Sequence, residues 1–144
     1  MISPVCEAVR EFFAQFNPAM LEKLGDIYAD NIRFQDPLHE VNGINSLRTY
    51  FAGTMEGLEE CRFEFSDSLE FPARGEAVLF WTMHYRHHKL AGGKLLHLEG
   101  NSHLRFAHKV YYQRDYYDAG AMLYEQVPVI GSVVRHIKGR LKVG

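Results

Sequence analysis

The sequence predicts an α+β fold, and three features of the chain lead to this prediction. Apolar residues recur at helical spacing as far as Leu58. From Cys61 onward they alternate with polar residues, which is typical of half-buried strands. The sequence Ala91-Gly92-Gly93 then indicates a hairpin between two of these strands. We therefore expect a cone of three N-terminal helices packed against a curved, mainly antiparallel sheet, with an extra amphipathic helix at the C-terminus.

Start signals locate the three helices. Ser3-Pro4 and Asn17-Pro18 each combine a side chain that can cap a helix with a proline at the first helical position. The second of these helices is expected to run to about Tyr28. The third follows Gly43, and its apolar side consists of Ile44, Leu47, Tyr50, Phe51, Met55 and Leu58.

Four strands are expected after the third helix. The first runs from Cys61 to Phe71 and is followed by a turn at Pro72 to Gly75. The second is the run AVLFWTMHYRHH, which is apolar on both faces over its first half. The third runs from Lys94 to Phe106, and the fourth is VYYQRDYY.

A shorter strand between the second and third helices ends in Asp36-Pro37. Ile32, Phe34 and Asp36 share one face of it, so the carboxylate continues an apolar row. Pro37 restricts Asp36 to an extended conformation and fixes the direction in which the side chain leaves. Because an ionised group on such a face is costly unless it is paired or hydrogen-bonded, the sequence points to a pocket around Asp36. The alternative is a structural aspartate that caps the nearby turn or the third helix.

Composition narrows the class of protein. A chain of 144 residues suits one domain, and no apolar run approaches the ~20 residues that span a bilayer. The 10 Phe, 8 Tyr and 1 Trp suit a core and also an apolar ligand cavity. The N-terminus lacks the pattern of a signal peptide, and Cys6 and Cys61 lack metal-ligand spacing, so free thiols in a cytoplasmic protein are expected.

Charge is unevenly distributed along the chain. No acid follows Glu125, whereas four basic residues do, which leaves 12 basic and 18 acidic residues in the remainder. An acidic body argues against nucleic acid as the main partner. The basic tail is predicted to form an amphipathic helix over 130–141. Such a helix can lie on an anionic membrane, although docking on its own domain or on a second subunit is the commoner use.

The segment around Asp36 resembles a known superfamily. Its residues Tyr28 to Asn31, Asp36-Pro37, Gly43, Leu47 and Tyr50-Phe51 stand in the strand-to-helix setting of nuclear transport factor 2-like proteins. Within that superfamily they are similar to the SnoaL-like polyketide cyclases and the ketosteroid isomerases. The resemblance covers about residues 3 to 118 and implies a domain over 1–118, followed by a helical extension over 119–144.

The resemblance also implies roles for two carboxylates. Asp36 corresponds to the proton-shuttling base of the steroid isomerases, and Asp115 to a last-strand carboxylate of the polyketide cyclases. The isomerases also need a tyrosine on the first helix and a protonated aspartate on a late strand, and these positions fall here on Phe12 and Ser102. A phenyl ring cannot donate, and loss of such a donor costs about 10²–10³ in rate. Steroid isomerisation by that route is therefore not expected.

Other candidates surround these two carboxylates. His39 could relay the proton of Asp36 or could be a solvated loop histidine. Asp115 could instead pair with an arginine at the end of the sheet, and Trp81 could line a pocket or a subunit interface. The expected ligand-binding residues are Phe12, Phe34, Phe51, Trp81, Ser102, Tyr111, Gln113 and Tyr117, the last three on the cavity face that the resemblance gives to the last strand.

The histidines of the central strands are not expected to bind a metal. His84, His87, His88, His97 and His103 are not accompanied by a metalloenzyme motif. If the Gly92-Gly93 turn sets the register, His87 lies opposite His97 or close to it. A polar outer face of the sheet suits a homodimer contact instead.

Two functions remain open from the sequence. One is a cofactor-independent isomerase, cyclase or hydrolase that acts by acid/base chemistry on an apolar carbonyl compound, with Asp36, Asp115 and His39 as catalytic residues. The other is a non-catalytic domain that binds a ligand or another protein. The resemblance does not decide between them, because one scaffold can serve unrelated functions.

Overall fold

The fold consists of a six-stranded sheet with the N-terminal helices packed against it. The computed structural model describes residues 3–122, 136–137 and 139–141. The helices are α1 (Pro4–Ala14), α2 (Leu24–Ile27), α3 (Ile44–Met55) and α4 (Ala119–Met122), with 3₁₀ segments at Pro18–Lys23, Pro72–Arg74 and Ala91–Gly93. The strands are β1 (Tyr28–Gln35), β2 (Glu40–Asn42), β3 (Leu58–Phe71), β4 (Glu76–His87), β5 (Leu96–Phe106) and β6 (Val110–Tyr117).

The predicted helix starts are confirmed, but the second helix is not continuous. The Ser3 side chain accepts a hydrogen bond from the Cys6 N–H, and Asn17 accepts one from the Ala19 N–H, as capping residues do. The chain after Pro18 turns as a 3₁₀ segment and becomes α-helical only over the four residues of α2. Gly25 lowers helix propensity there, which accounts for part of this interruption.

The sheet has the order β2-β1-β6-β5-β4-β3 and is mainly antiparallel, as expected. The exception is the pairing of β1 with β6, which is parallel and sets Phe34 opposite Gln113 and Gln35 opposite Arg114. The three-residue strand β2 was not expected, and it returns antiparallel along β1 after the Asp36-Pro37 turn. The bulge of β3 between Phe65 and Asp67 is where Asp67 interrupts the apolar row of the sequence.

The predicted histidine register was wrong. His84, not His87, lies opposite His97, because a longer connection than a tight two-residue turn separates β4 from β5. The Nδ1 atoms of the two rings are 2.7 Å apart, and His84 Nε2 lies 3.1 Å from Glu64 Oε1. Within the described part of the chain, no three histidine, cysteine, aspartate or glutamate side chains form a group that could hold a metal ion.

The core lies between the helices and the sheet. Phe12 and Phe13 of α1, and Phe16 just after it, contact Phe51 of α3. The contacts are mainly edge-to-face, and the ring centroids lie 5.3–5.9 Å from that of Phe51. Aromatic contacts of this kind add to the stabilisation from apolar burial, so they fix the helices on the sheet. Most of the predicted C-terminal helix over 130–141 lies outside the described residues. No helix in the described ranges is both long and apolar enough to cross a membrane.

Candidate functional site

A cavity of about 300 Å³ opens between the helices and the sheet. Its wall is mostly aromatic and includes Phe13, Phe16, Phe34, Phe51, Phe63, Trp81 and Tyr85. Its polar lining is concentrated around two carboxylates, Asp36 and Asp115, with Tyr50 and Tyr117 beside them. The volume lies at the lower end of the range for small-molecule pockets, so the cavity suits a compact ligand.

Asp36 is only 8 % exposed and lies immediately after β1, where the alternation of Ile32 and Phe34 directs it inward. Its Oδ1 accepts hydrogen bonds from the Leu38 and His39 N–H groups, each at 2.8 Å. Its own N–H donates to the His39 carbonyl at 2.9 Å. Asp36 therefore caps the turn, as one of the two interpretations predicted, and at the same time faces the cavity.

The second oxygen of Asp36 is engaged by a side chain from α3. The Tyr50 hydroxyl donates a hydrogen bond to Asp36 Oδ2. Burial and then the Asp36 carboxylate raise the pKa of Tyr50 well above its ordinary value, so this hydroxyl stays protonated and donates. The His39 ring lies against Tyr50 with a centroid distance of 4.9 Å, and its Nδ1 is 3.9 Å from Asp36 Oδ1. His39 thus covers this end of the cavity from the outside, with its side chain 56 % exposed.

Asp115 on β6 is held by neighbouring strands rather than by a turn. Its Oδ1 accepts from the Ser102 hydroxyl at 2.6 Å and from the Gln113 amide nitrogen at 2.9 Å. None of the ion pairs in the described residues involves Asp115, so the predicted alternative of an arginine partner was wrong. Burial raises the pKa of Asp115 from 3.8 to about 6, against the hydrogen bonds from Ser102 and Gln113, which lower it.

The two carboxylates come together through the parallel pairing of β1 and β6. Because Gln35 is opposite Arg114, the next residue of each strand brings Asp36 beside Asp115. The charge of Asp36 is one of the causes that raise the pKa of Asp115. The Tyr117 hydroxyl faces both carboxylates, and burial and their charges raise its pKa well above the ordinary value. Together, Asp36, Asp115, Tyr50 and Tyr117 provide carboxylate oxygens that can accept a proton and phenol hydroxyls that can donate one, as acid/base catalysis requires.

The structure brings most of the predicted residues to this cavity. Asp36, His39, Phe34, Phe51, Trp81, Asp115 and Tyr117 line it. Ser102 and Gln113 do not line it but bind Asp115 directly. Phe12 lies behind the wall, fully buried in the core with its ring edge-on to Phe13 and Tyr28.

Tyr111 is the clear exception among the predicted residues. A register shift in the pairing of β5 with β6 places an extra residue between Val110 and Tyr112. Val110 and Gln113 both face inward as a result, while Tyr111 is 41 % exposed and lies outside the cavity lining. The prediction that Tyr111 shares the face of Gln113 was wrong, because strict alternation does not survive a bulge.

Sequence reasoning missed two functional residues of this site. Tyr50 was placed on the apolar side of α3 and among the residues that carry the resemblance, but not in the site. A buried tyrosine hydroxyl needs a partner, and this requirement was the available signal. Tyr28 was also missed, and its hydroxyl donates to Gln113 Oε1 at 2.6 Å in the fully buried core. No local pattern connects Tyr28 with Gln113, since the two are 85 residues apart.

One glycine is required by the packing of this site. Gly100 is opposite Trp81 on the neighbouring strand, and a Cβ at this position would meet the indole ring and the Tyr116 carbonyl. The absence of a side chain lets the indole lie across β5 and donate from Nε1 to Ser102 Oγ at 2.9 Å.

Comparison with known families and structures identifies the scaffold. The profile of the SnoaL-like domain family matches residues 9–110. The chain belongs to this family. No curated protein matches the sequence at a significant level.

Solved structures with the same fold extend over most of the chain. One is a protein with a ketosteroid isomerase-like fold from Catenulispora acidiphila in complex with trimethylamine, at 13 % identity, with a TM-score of 0.72 and coverage of 89 % of this chain and 95 % of that one. Another, from Jannaschia sp., is provisionally described as a SnoaL-like polyketide cyclase, at 14 % identity, TM-score 0.72 and coverage of 85 % and 94 %. A third is TerC co-crystallised with polyporic acid, at 17 % identity, TM-score 0.69 and coverage of 83 % and 95 %. These similarities establish a ketosteroid isomerase-like fold.

Proposed function

We propose that the protein binds a compact, uncharged, largely apolar carbonyl compound in this cavity and catalyses a proton transfer at the carbon next to the carbonyl. The observation that carries the proposal is the pairing of an aromatic wall with two adjacent carboxylates, one of which has a pKa of about 6. A general base works best when its pKa lies near the working pH, and Asp115 meets that condition.

The charges of the wall argue against an anionic ligand. Among the described lining residues there is no lysine or arginine, whereas Asp36, Glu56 and Asp115 are acids. A ligand carboxylate placed near Asp36 and Asp115 would be repelled by both and would lose its hydration without gaining a cationic partner. The cavity therefore favours a ketone or a phenol over a carboxylic acid of the same shape.

The hydrogen bonds favour Asp115 over Asp36 as the group that moves the proton. Both oxygens of Asp36 already accept hydrogen bonds, from two backbone N–H groups and from Tyr50. Within the described residues, Asp115 accepts hydrogen bonds at Oδ1 and none at Oδ2, so Oδ2 is the oxygen offered to a ligand. We assign Asp115 as the base, Tyr117 as the donor to the carbonyl oxygen, and Asp36 with Tyr50 as the group that orients the ligand. This assignment moves the role of base from Asp36, which corresponds to the base of the steroid isomerases, to Asp115, which corresponds to the last-strand carboxylate of the polyketide cyclases.

Trp81 supplies a direct measurement of binding, because it is the one tryptophan of the chain and it lines the cavity. We expect 2-tetralone, a neutral aromatic ketone, to change the Trp81 fluorescence on titration. We expect 2-naphthoate, an anion of similar shape, to bind at least about tenfold more weakly, since one tenfold step corresponds to about 1.4 kcal/mol of repulsion. Equal affinity for the two probes would contradict the proposed charge selection.

Catalysis is tested separately by exchange of the α-protons of 2-tetralone with D₂O, followed by proton NMR. Asp115→Asn is expected to keep the ketone affinity within about threefold and to lower the protein-dependent exchange rate by about 10²-fold or more, because a base contributes 10²–10⁴. Asp30→Asn is the matched control, an exposed aspartate of β1 outside the cavity. If the ketone binds and the wild-type protein never accelerates exchange, the non-catalytic binding function replaces the enzymatic one.

A further inference from the structure

Two chains of buried and partly buried hydrogen bonds end on the same oxygen of Asp115. In one, the Tyr28 hydroxyl donates to Gln113 Oε1, and Gln113 Nε2 donates to Asp115 Oδ1. In the other, Trp81 Nε1 donates to Ser102 Oγ, and the Ser102 hydroxyl donates to the same Oδ1. The four bonds are 2.6–2.9 Å long.

One end of each chain fixes its direction, the Trp81 indole in one chain and the Asp115 carboxylate in the other. An indole N–H can only donate, so Ser102 Oγ accepts from Trp81 and turns its own proton toward Asp115. The Asp115 carboxylate can only accept, so it takes the amide nitrogen of Gln113, and the carbonyl oxygen of Gln113 is left to accept from the Tyr28 hydroxyl. Tyr28 stays protonated, since burial and then the charge of Asp115 raise its pKa well above the ordinary value. Neither chain can reverse without leaving a buried polar atom unpaired, which is costly.

We propose that Gln113 and Ser102 are positioning residues, oriented by Tyr28 and Trp81, which occupy Oδ1 of Asp115 and leave Oδ2 as the atom that accepts and returns the proton. This inference rests on the proposed function, because it assumes that Asp115 is the base. It adds four residues, of which Tyr28, Ser102 and Gln113 lie outside the cavity lining, and Tyr28 and Gln113 are fully buried.

Four groups face Asp115, and within the described residues none of them donates a hydrogen bond to Oδ2. They are Asp36 from the turn after β1, Tyr28 from β1, Tyr50 from α3 and Tyr117 from β6. Tyr50 donates to Asp36 and Tyr28 donates to Gln113, while the Tyr117 hydroxyl is hydrogen-bonded to Asp36. The protons of all three tyrosines are therefore engaged elsewhere. No lysine or arginine of the described residues forms an ion pair with Asp115. The two donors on Oδ1 are thus what keeps the carboxylate usable as a base in a buried position.

The test is a titration of Asp115 in the whole protein without ligand, by carboxyl ¹³C NMR on labelled aspartate, with Asp115→Asn to assign the resonance. Ser102→Ala removes one donor to the charged form, so we expect the midpoint to rise from about 6 by about one pH unit. Ser102→Thr keeps the hydroxyl and is expected to restore the wild-type midpoint. Tyr28→Phe acts only through Gln113, and we expect it to raise the midpoint by about half a unit.

Tyr111→Phe is the matched control for Tyr28→Phe, because it removes a tyrosine hydroxyl on the outside of the sheet. It is expected to leave the Asp115 midpoint unchanged. Midpoints that stay within about 0.2 units in both Ser102→Ala and Tyr28→Phe would overturn the positioning role. Ser102→Ala replaces one small side chain by another and is expected to fold. It therefore tests the positioning role by itself if Tyr28→Phe fails to fold. Since no ligand is used, this result is independent of whether 2-tetralone binds or exchanges its protons.

Discussion

Asp36 and Asp115 face the same cavity, but the chain holds them by different means. The backbone donors of Asp36 are two and three residues further along, and its side-chain donor, Tyr50, follows 14 residues later. Asp115 depends on Ser102 of β5, and through Gln113 on Tyr28 of β1, 85 residues before Gln113. A carboxylate held by its own turn is fixed wherever the turn forms. A carboxylate held by three strands has its hydrogen-bond donors in place only when the sheet has assembled.

The largest expected effect concerns the pH dependence of stability. The folded-state pKa of Asp115 is about 6 against 3.8 in the ordinary case, so the folded protein binds a proton more tightly than the unfolded chain between these values. Stability from this group is therefore greatest at low pH and is lost as pH rises from about 4 to about 6. The full shift corresponds to at most about 3 kcal/mol.

Urea unfolding at pH 4, 5, 6 and 7 gives the free energy of unfolding as a function of pH. The contribution of Asp115 is the difference between the wild type and Asp115→Asn in the slope of that free energy against pH. The wild type is expected to lose stability with rising pH relative to the variant, while Asp30→Asn retains the wild-type slope. Parallel pH profiles for the wild type and Asp115→Asn would show that burial does not perturb this carboxylate.

A smaller effect is expected when the local support of Asp36 is removed. Asp36→Ala leaves the Leu38 and His39 N–H groups and the Tyr50 hydroxyl without their acceptor, and we expect a loss of about 2 kcal/mol in the free energy of unfolding. Asp36→Asn retains one acceptor oxygen for the turn and should cost about half as much. Urea unfolding at pH 7 compares the two, and an Asn variant as unstable as the Ala variant would assign the stabilisation to charge instead of to the turn.

The smallest effect is expected outside the cavity. Tyr111→Ala should change the free energy of unfolding by less than about 0.5 kcal/mol and leave the 2-tetralone titration of Trp81 unchanged, because this side chain is exposed. Thermal unfolding measures the change in stability, and the fluorescence titration measures the ketone affinity. Weaker ketone binding in this variant would show that Tyr111 contributes to the site, contrary to its position outside the cavity lining.

The local features of this protein could be read from its sequence. Capping side chains before Pro4 and Pro18 located the helix starts, and alternation around Phe34 directed Asp36 inward, since both depend on neighbours a few residues away. The SnoaL-like resemblance at Asp36-Pro37 was confirmed by the family match. The face of Tyr111 could not be read, because a bulge changes alternation without leaving a clear mark in the sequence.

The meeting of the two carboxylates was decided by tertiary structure alone. Residues 36 and 115 become neighbours only because β1 pairs with β6 in parallel, a contact between strands from opposite ends of the domain. The raised pKa of Asp115 follows from burial among strands that the sequence cannot place side by side. The sequence thus determined which groups could do chemistry, and the assembled sheet determined which of them face one another, because charge interaction and desolvation depend on distance in space.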